Sequence, residues 1–308
     1  MEVCKCNANN LLKSKLLKNG IWLYILQLFN SVVPLITVPY VTRVLGVEEY
    51  GRFSIVLNLV SYLQVIIEYG FSFSATRRVA LNDEDNNINS LFSSIVVSRF
   101  VLYLFSLFIA IIVGRNFIHN KTNLQCLYVM VLLLGGYCMQ CNWLFQGKQD
   151  MKYITITNVI ARTLTTIVIF LAIKAPEDIL NYCFLYMVSP LISNVIGLII
   201  VKHKYKIKWN LPSWNSVLLI MKSGLYVFFT QFSAKVFGAV GITFLGIFEG
   251  EYITGIYSAI YKIPFLVLMI WNPISQIIYP ISSRKMMDGF KCGEKFIKSI
   301  QNKCICFF

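Results

Sequence analysis

Eight apolar runs constrain this chain more than any other feature. They lie near residues 21–42, 52–75, 94–114, 124–145, 153–173, 179–201, 217–247 and 254–280. A helix needs about 20 apolar residues to cross a bilayer core. Lipid offers the backbone no hydrogen-bond partner, so such runs must fold as spanning helices. The charge content agrees: 14% of residues are charged and 57% are hydrophobic, against about 25% charged in a soluble domain. The sequence therefore predicts an all-α, polytopic transmembrane helical bundle. The seventh run is too long for one straight crossing, which implies tilt or extension past the bilayer.

The net charge of +14 would suggest nucleic acid in a soluble protein. Its distribution argues for topology instead, with no nucleic-acid partner. If the N-terminus is cytoplasmic, the cytoplasmic segments as far as Lys298 hold 18 Lys and Arg and the opposite loops hold five: Arg43, Arg52, Arg115, Lys121 and Lys174. Cytoplasmic loops are enriched in these residues, which sets that orientation. The first 20 residues are polar and basic, and the run after them exceeds a signal-peptide core, so it reads as a retained span. All loops are short, leaving no extramembrane domain for a catalytic site. The nine cysteines lie mostly in apolar runs or at the chain ends, where structural or incidental thiols are expected. Cys138 and Cys141 form a C-x-x-C with no second pair or nearby His, so neither a metal nor another cofactor is expected.

One stretch occurs twice. Lys18, Gly20, Gln27, Val32, Gly46, Gly51 and Ser54 recur as Lys222, Gly224, Gln231, Val236, Gly250, Gly255 and Ser258 without a gap. The spacing of 204 residues covers six spans, so both copies enter the membrane from the same side as parallel repeats. This divides the chain into a six-helix lobe, 1–208, and the start of a second lobe, 209–308, with two spans and a basic tail. About eight of an expected 12 spans are present, and a truncated or frameshifted product is expected.

Ionisable residues inside spans cost roughly 2.5–3.5 kcal/mol each on insertion scales, so each needs a reason. They are Glu68, Arg99, Arg162, Lys235 and Lys262. Arg162 shares a helix face with Asn158, Thr165 and Thr166. Lys235 shares one with Gln231 and Gly238, and Lys262 follows Ser258 by one turn. On the first span Gln27, Asn30, Ser31 and Pro34 make one polar stripe, and on the second Asn58, Ser61 and Glu68 lie on a common side. The 204-residue offset pairs Ser31 with Lys235 and Asn58 with Lys262. A cavity between repeats, lined by Arg162, Lys235 and Lys262, would offer charge-assisted donors to a phosphate-bearing ligand. The plainer readings are that Arg99 snorkels to the interface, that Arg43 anchors the opposite one, that Arg162 anchors, and that Lys262 neutralises Glu68. Trp143, Trp209, Trp214 and Trp271 read as an interfacial belt. The prolines at 34, 39, 190, 264, 273 and 280 read as hinges or simple bends.

PYVTRVLG at Pro39–Gly46, Tyr50–Gly51, EYGFSFSATR at Glu68–Arg77 and WLFQGKQDMKYITITNVIAR at Trp143–Arg162 resemble the O-antigen flippases of the polysaccharide-exporter branch. That branch belongs to the multidrug/oligosaccharidyl-lipid/polysaccharide exporter superfamily. The resemblance runs to about Pro280. It implies two six-helix lobes around a central cavity and export of undecaprenyl-pyrophosphate-linked oligosaccharide by alternating access at the inner membrane. It implies membrane lipid, a polysaccharide polymerase and a chain-length regulator as partners, and no enzymatic activity. It places the S-A-T-R segment near the cavity mouth, which makes Arg78 a candidate contact beside its topological role, with Arg43 at the far side. Glu68 is the acid available for ion coupling. A multidrug cation antiporter shares the expected fold but calls for an acidic cavity. A membrane glycan polymerase calls for a long catalytic loop. An inactive remnant is the third alternative.

Overall fold

The computed structural model describes the backbone of residues 2–81, 85–118 and 120–269. Side chains are described from Lys18 to Lys262, apart from those at 82–87, 117 and 119. Among the described residues ten α-helices follow one another: α1 (Glu2–Val44), α2 (Val47–Glu68), α3 (Phe71–Leu81), α4 (Asp85–Phe117), α5 (Lys121–Leu134), α6 (Asn142–Gly147), α7 (Lys152–Ala172), α8 (Ile179–Tyr205), α9 (Trp214–Phe248) and α10 (Gly250–Met269). No strand occurs among the described residues.

These helices form seven units long and apolar enough to span, because α2 with α3, and α5 with α6, each make one broken span. The eighth expected span begins in α10, whose continuation to 280, with Trp271, Pro273 and Pro280, lies outside the described residues. Large apolar side chains such as Leu28, Phe108, Leu132 and Leu171 face outward, as lipid-facing positions must. The chain is a multi-pass membrane protein.

Each break has a local cause. Span two turns at Tyr69 and Gly70, both in left-handed backbone at φ 44° and 72°. Glycine suits such a position because it carries no Cβ. Span four stops at Gly135 and Gly136, passes through a 3-10 turn, Gly135–Met139, and restarts at Asn142. The prolines at 34 and 39 in α1 and 190 in α8 lie inside helices that continue past them.

Arg99 corrects its expected role. It does not snorkel; it is completely buried. Its Nη1 donates to the carbonyls of Gln140 (2.5 Å) and Tyr137 (3.4 Å), and its guanidinium lies 5.9 Å from the centroid of Phe71. The broken span frees the Gln140 carbonyl, which Arg99 satisfies, and Arg99 adds a second donor to the Tyr137 carbonyl, which also accepts from Gln140 N at 3.2 Å. Cys138 and Cys141 lie in the same break as buried free thiols.

The sharpest packing contact joins α2 to α10. A Cβ on Gly51 would sit 1.8 Å from the Glu251 carbonyl oxygen, and one on Gly255 would sit 2.2 Å from that of Val47. The backbones touch because both positions lack side chains. Ser258 Oγ donates to Ser54 Oγ at 2.8 Å. Residue 47 meets 255 and residue 51 meets 251, so the contact is reciprocal at the 204-residue offset, as an isologous interface requires. Gly46 and Gly250, also 204 apart, both open their helices at positive φ, 88° and 79°.

One end of the bundle carries Lys18, the α2–α3 turn, residues 148–151 and the connector before α9. There Asn19 Nδ2 donates to the Gln149 carbonyl at 2.9 Å. At the other end Tyr40 Oη donates to the Ile173 carbonyl at 2.8 Å. Arg52 lies there among Glu48, Glu49 and Glu251, at 3.0, 3.3 and 3.9 Å.

Candidate functional site

Two cavities flank Lys262 of α10. The first, about 260 Å³, opens between α1, α7, α8 and α10. Asn30 and Pro34 reach it from α1, Asn158, Arg162, Thr165 and Thr166 from α7, and Tyr182 and Tyr186 from α8. The second, about 220 Å³, lies between α2, α9 and α10. It is lined by Tyr50, Asn58 and Ser61 of α2, Lys235 of α9, and Ser258 and Lys262 of α10. Lys262 borders both.

The helix periodicities produce this arrangement. Residues 158, 162, 165 and 166 recur at helical spacing, so α7 turns one polar face inward. Arg162 Nη1 donates to Asn30 Oδ1 at 3.2 Å. Lys262 Nζ donates to Tyr50 Oη at 2.6 Å and lies 5.2 Å from that ring's centroid. Tyr50 therefore holds the ammonium in place of Glu68, which accepts from Gln64 Nε2 at 3.0 Å instead. The expected Lys262–Glu68 neutralisation is not formed. Asn58 Nδ2 donates to Thr243 Oγ1 at 2.8 Å, tying α2 to α9 beside Lys235.

Among the described residues neither lining contains a carboxylate. Arg162 and Lys262 thus face one space as like charges with neutral oxygens around them. An anion between them would relieve their repulsion, and in a low-dielectric setting that relief is large. Asn, Thr and Tyr side chains supply further donors for an oxygen-rich ligand.

The other predicted positions lie elsewhere. Gln27, Ser31 and Gln231 line neither cavity; Ser31 Oγ donates back to the Gln27 carbonyl at 2.9 Å, and Gln27 Nε2 is buried without a partner. Arg43 is exposed in the last turn of α1, which matches the anchoring reading better than ligand contact. Arg78 borders a separate groove at the lysine-rich end, 3.4 Å from Ser223 Oγ. Glu68 ends α2 outside both linings, within electrostatic range of Arg99 and Lys235. Sequence reasoning missed Tyr50, Tyr137, Tyr182 and Tyr186. Their signal was a hydroxyl-bearing ring inside an apolar run, where Tyr usually needs a partner for its O–H.

Comparisons with known proteins agree with this architecture. The family model described as "Polysaccharide biosynthesis protein" matches residues 16–286. A protein of Escherichia coli (strain K12), named "Putative O-antigen transporter", is 28% identical over 281 residues, covering 91% of this chain and 68% of its own length. A protein of Shigella dysenteriae with the same name is 25% identical over 281 residues, covering 90% and 69%. Two solved structures share the fold. One, named "protein A", has a TM-score of 0.65 at 18% identity. The other, a ligand complex of the MATE multidrug transporter DinF-BH, has a TM-score of 0.60 at 14% identity. This chain covers 65% of the length of each solved structure. On the match across residues 16–286, carried by a bundle of this shape, the chain belongs to the polysaccharide biosynthesis protein family.

Proposed function

We propose that this protein belongs to a flippase that moves a lipid-linked oligosaccharide, with an anionic pyrophosphate joining sugar to isoprenoid, across the inner membrane. The observation that carries this reading is the carboxylate-free space shared by Arg162 and Lys262, with Lys235 in the adjoining cavity. The two curated relatives are each named "Putative O-antigen transporter", which supports a glycan cargo. The lysine-rich end would face the cytoplasm by the distribution of Lys and Arg. The α2–α10 contact would close the opposite end, and separation of the two lobes there would complete alternating access. An inside-negative potential would assist, by up to about 2.3 kcal/mol per charge per 100 mV.

The multidrug reading draws support from fold likeness alone. A cavity whose ionised groups are all cations repels an organic cation, so the anionic substrate is favoured. A cell-based export assay tests the proposal. Arg162→Ala and Lys262→Ala are each expected to cut export by about tenfold or more, since a charge-assisted hydrogen bond contributes about 1.5–3 kcal/mol. Normal export with both replaced, at matched membrane levels, would refute it.

A further inference from the structure

The connector between α8 and α9 is not a slack loop. Lys206 leaves α8 in left-handed backbone at φ 49°. The chain then runs extended along α4: Lys208 N donates to Asn89 Oδ1 at 3.0 Å, and Asn210 N donates to Ser93 Oγ at 3.1 Å. This path covers a groove of about 490 Å³ at the lysine-rich end. Lys148, Lys204, Lys206 and Lys208 line it over an apolar floor that includes Leu144 and Ile207, and among the described residues no carboxylate is in the lining. Beside it the connector exposes Trp209 and Leu211, and α9 begins with exposed Trp214.

Two features exceed a general basic bias. A helix C-terminus favours cations, which accounts for Lys202 and Lys204. Lys206 and Lys208 lie past that helix and are held over the hollow by the pinned connector. Asp150, the nearby carboxylate among the described residues, already accepts from Lys204 and Tyr205. Burial opposes its ionisation, but those hydrogen bonds outweigh burial and hold its carboxyl below the usual range. Lysine donors above an apolar floor match a phosphodiester attached to acyl chains, and tryptophans settle at headgroup level.

We infer that this groove seats the headgroup of an anionic phospholipid of the surrounding leaflet, with the connector's Trp209 and Leu211 in the interface beside it. The site is separate from the cavities at Lys262 and does not depend on the export reading.

The test uses the full chain in nanodiscs. Trp209 emission is isolated by difference against Trp209→Phe. Quenching by brominated phosphatidylglycerol is compared with quenching by brominated phosphatidylcholine. Half-quenching is expected at about tenfold lower mole fraction for the anionic lipid, since each surface lysine strengthens the attraction about fivefold. Lys206→Ala with Lys208→Ala should abolish the preference. Lys222→Ala, exposed at the same end, should keep it. Equal quenching by both lipids, or a preference that survives the double substitution, would overturn the inference. So would loss of the preference on adding millimolar glycerol 3-phosphate, which would mark a site for free anions.

Discussion

Two cations in this bundle have opposite roles, and their partners explain why. Arg99 is sealed in and bonded to backbone carbonyls. Its Nε and Nη2 are buried without partners, so it is a costly residue kept for what its third nitrogen holds together. Lys262 touches a phenol and open space on two sides. Replacing Arg99 by Ala orphans the Gln140 carbonyl, at a cost of roughly 1–3 kcal/mol, while the Tyr137 carbonyl keeps its bond from Gln140 N. Arg99→Ala should therefore lower the Tm in detergent clearly, while exposed Arg43→Ala leaves it within about 1 °C, the usual result for a surface position. A thermal-shift comparison checks this, and equal Tm values would refute the pinning role. The sequence marked both residues as intramembrane charges but could not separate them. Arg99's partners are main-chain atoms that exist only because Gly135 and Gly136 break the span, and no side-chain pattern records them.

At the scale of elements, the α2–α10 crossing is where the repeat became physical. Seven matched residues were legible in the sequence, and several have one structural task each. Gly46 and Gly250 supply positive φ, Gly51 and Gly255 let backbones touch, and Ser54 and Ser258 bond to each other. What the sequence could not give was that matched residues meet reciprocally, since an offset carries no information about which surfaces face. The crossing predicts a sharp size limit. Gly255→Leu must displace the Val47 carbonyl, a backbone atom that cannot give way locally. Disulfide cross-linking between Ser54→Cys and Ser258→Cys, in a background lacking other cysteines, should be rapid and should fall by about tenfold when Gly255→Leu is added. Close crossings generally admit small residues, but here even an alanine Cβ at either glycine would meet a backbone carbonyl oxygen. Undiminished cross-linking would mean the helices are not packed at these glycines.

For the molecule as a whole, the bundle and its lysine-rich end follow from span length and lysine distribution, whereas the breaks in spans two and four appear only in the structure. The cavities follow less directly. Arg162 and Lys262 line one cavity and Lys235 the adjoining one, whereas Gln27, Ser31 and Gln231, chosen by the same rule, line neither. Periodicity fixes which residues share a face, but the rotation of each helix is set by packing with its neighbours, such as Thr155 Oγ1 donating to the Trp22 carbonyl at 2.8 Å. The central claim is that Arg162 and Lys262 together hold an anionic headgroup. Its most direct measurement is the affinity of the purified protein for a pyrophosphate-linked isoprenoid glycan, with each residue changed to Gln singly and then together. Each single change is predicted to weaken binding by about tenfold or more, from the loss of one charge-assisted contact, and the double change to weaken it further. Affinity unchanged in the double variant would contradict the claim.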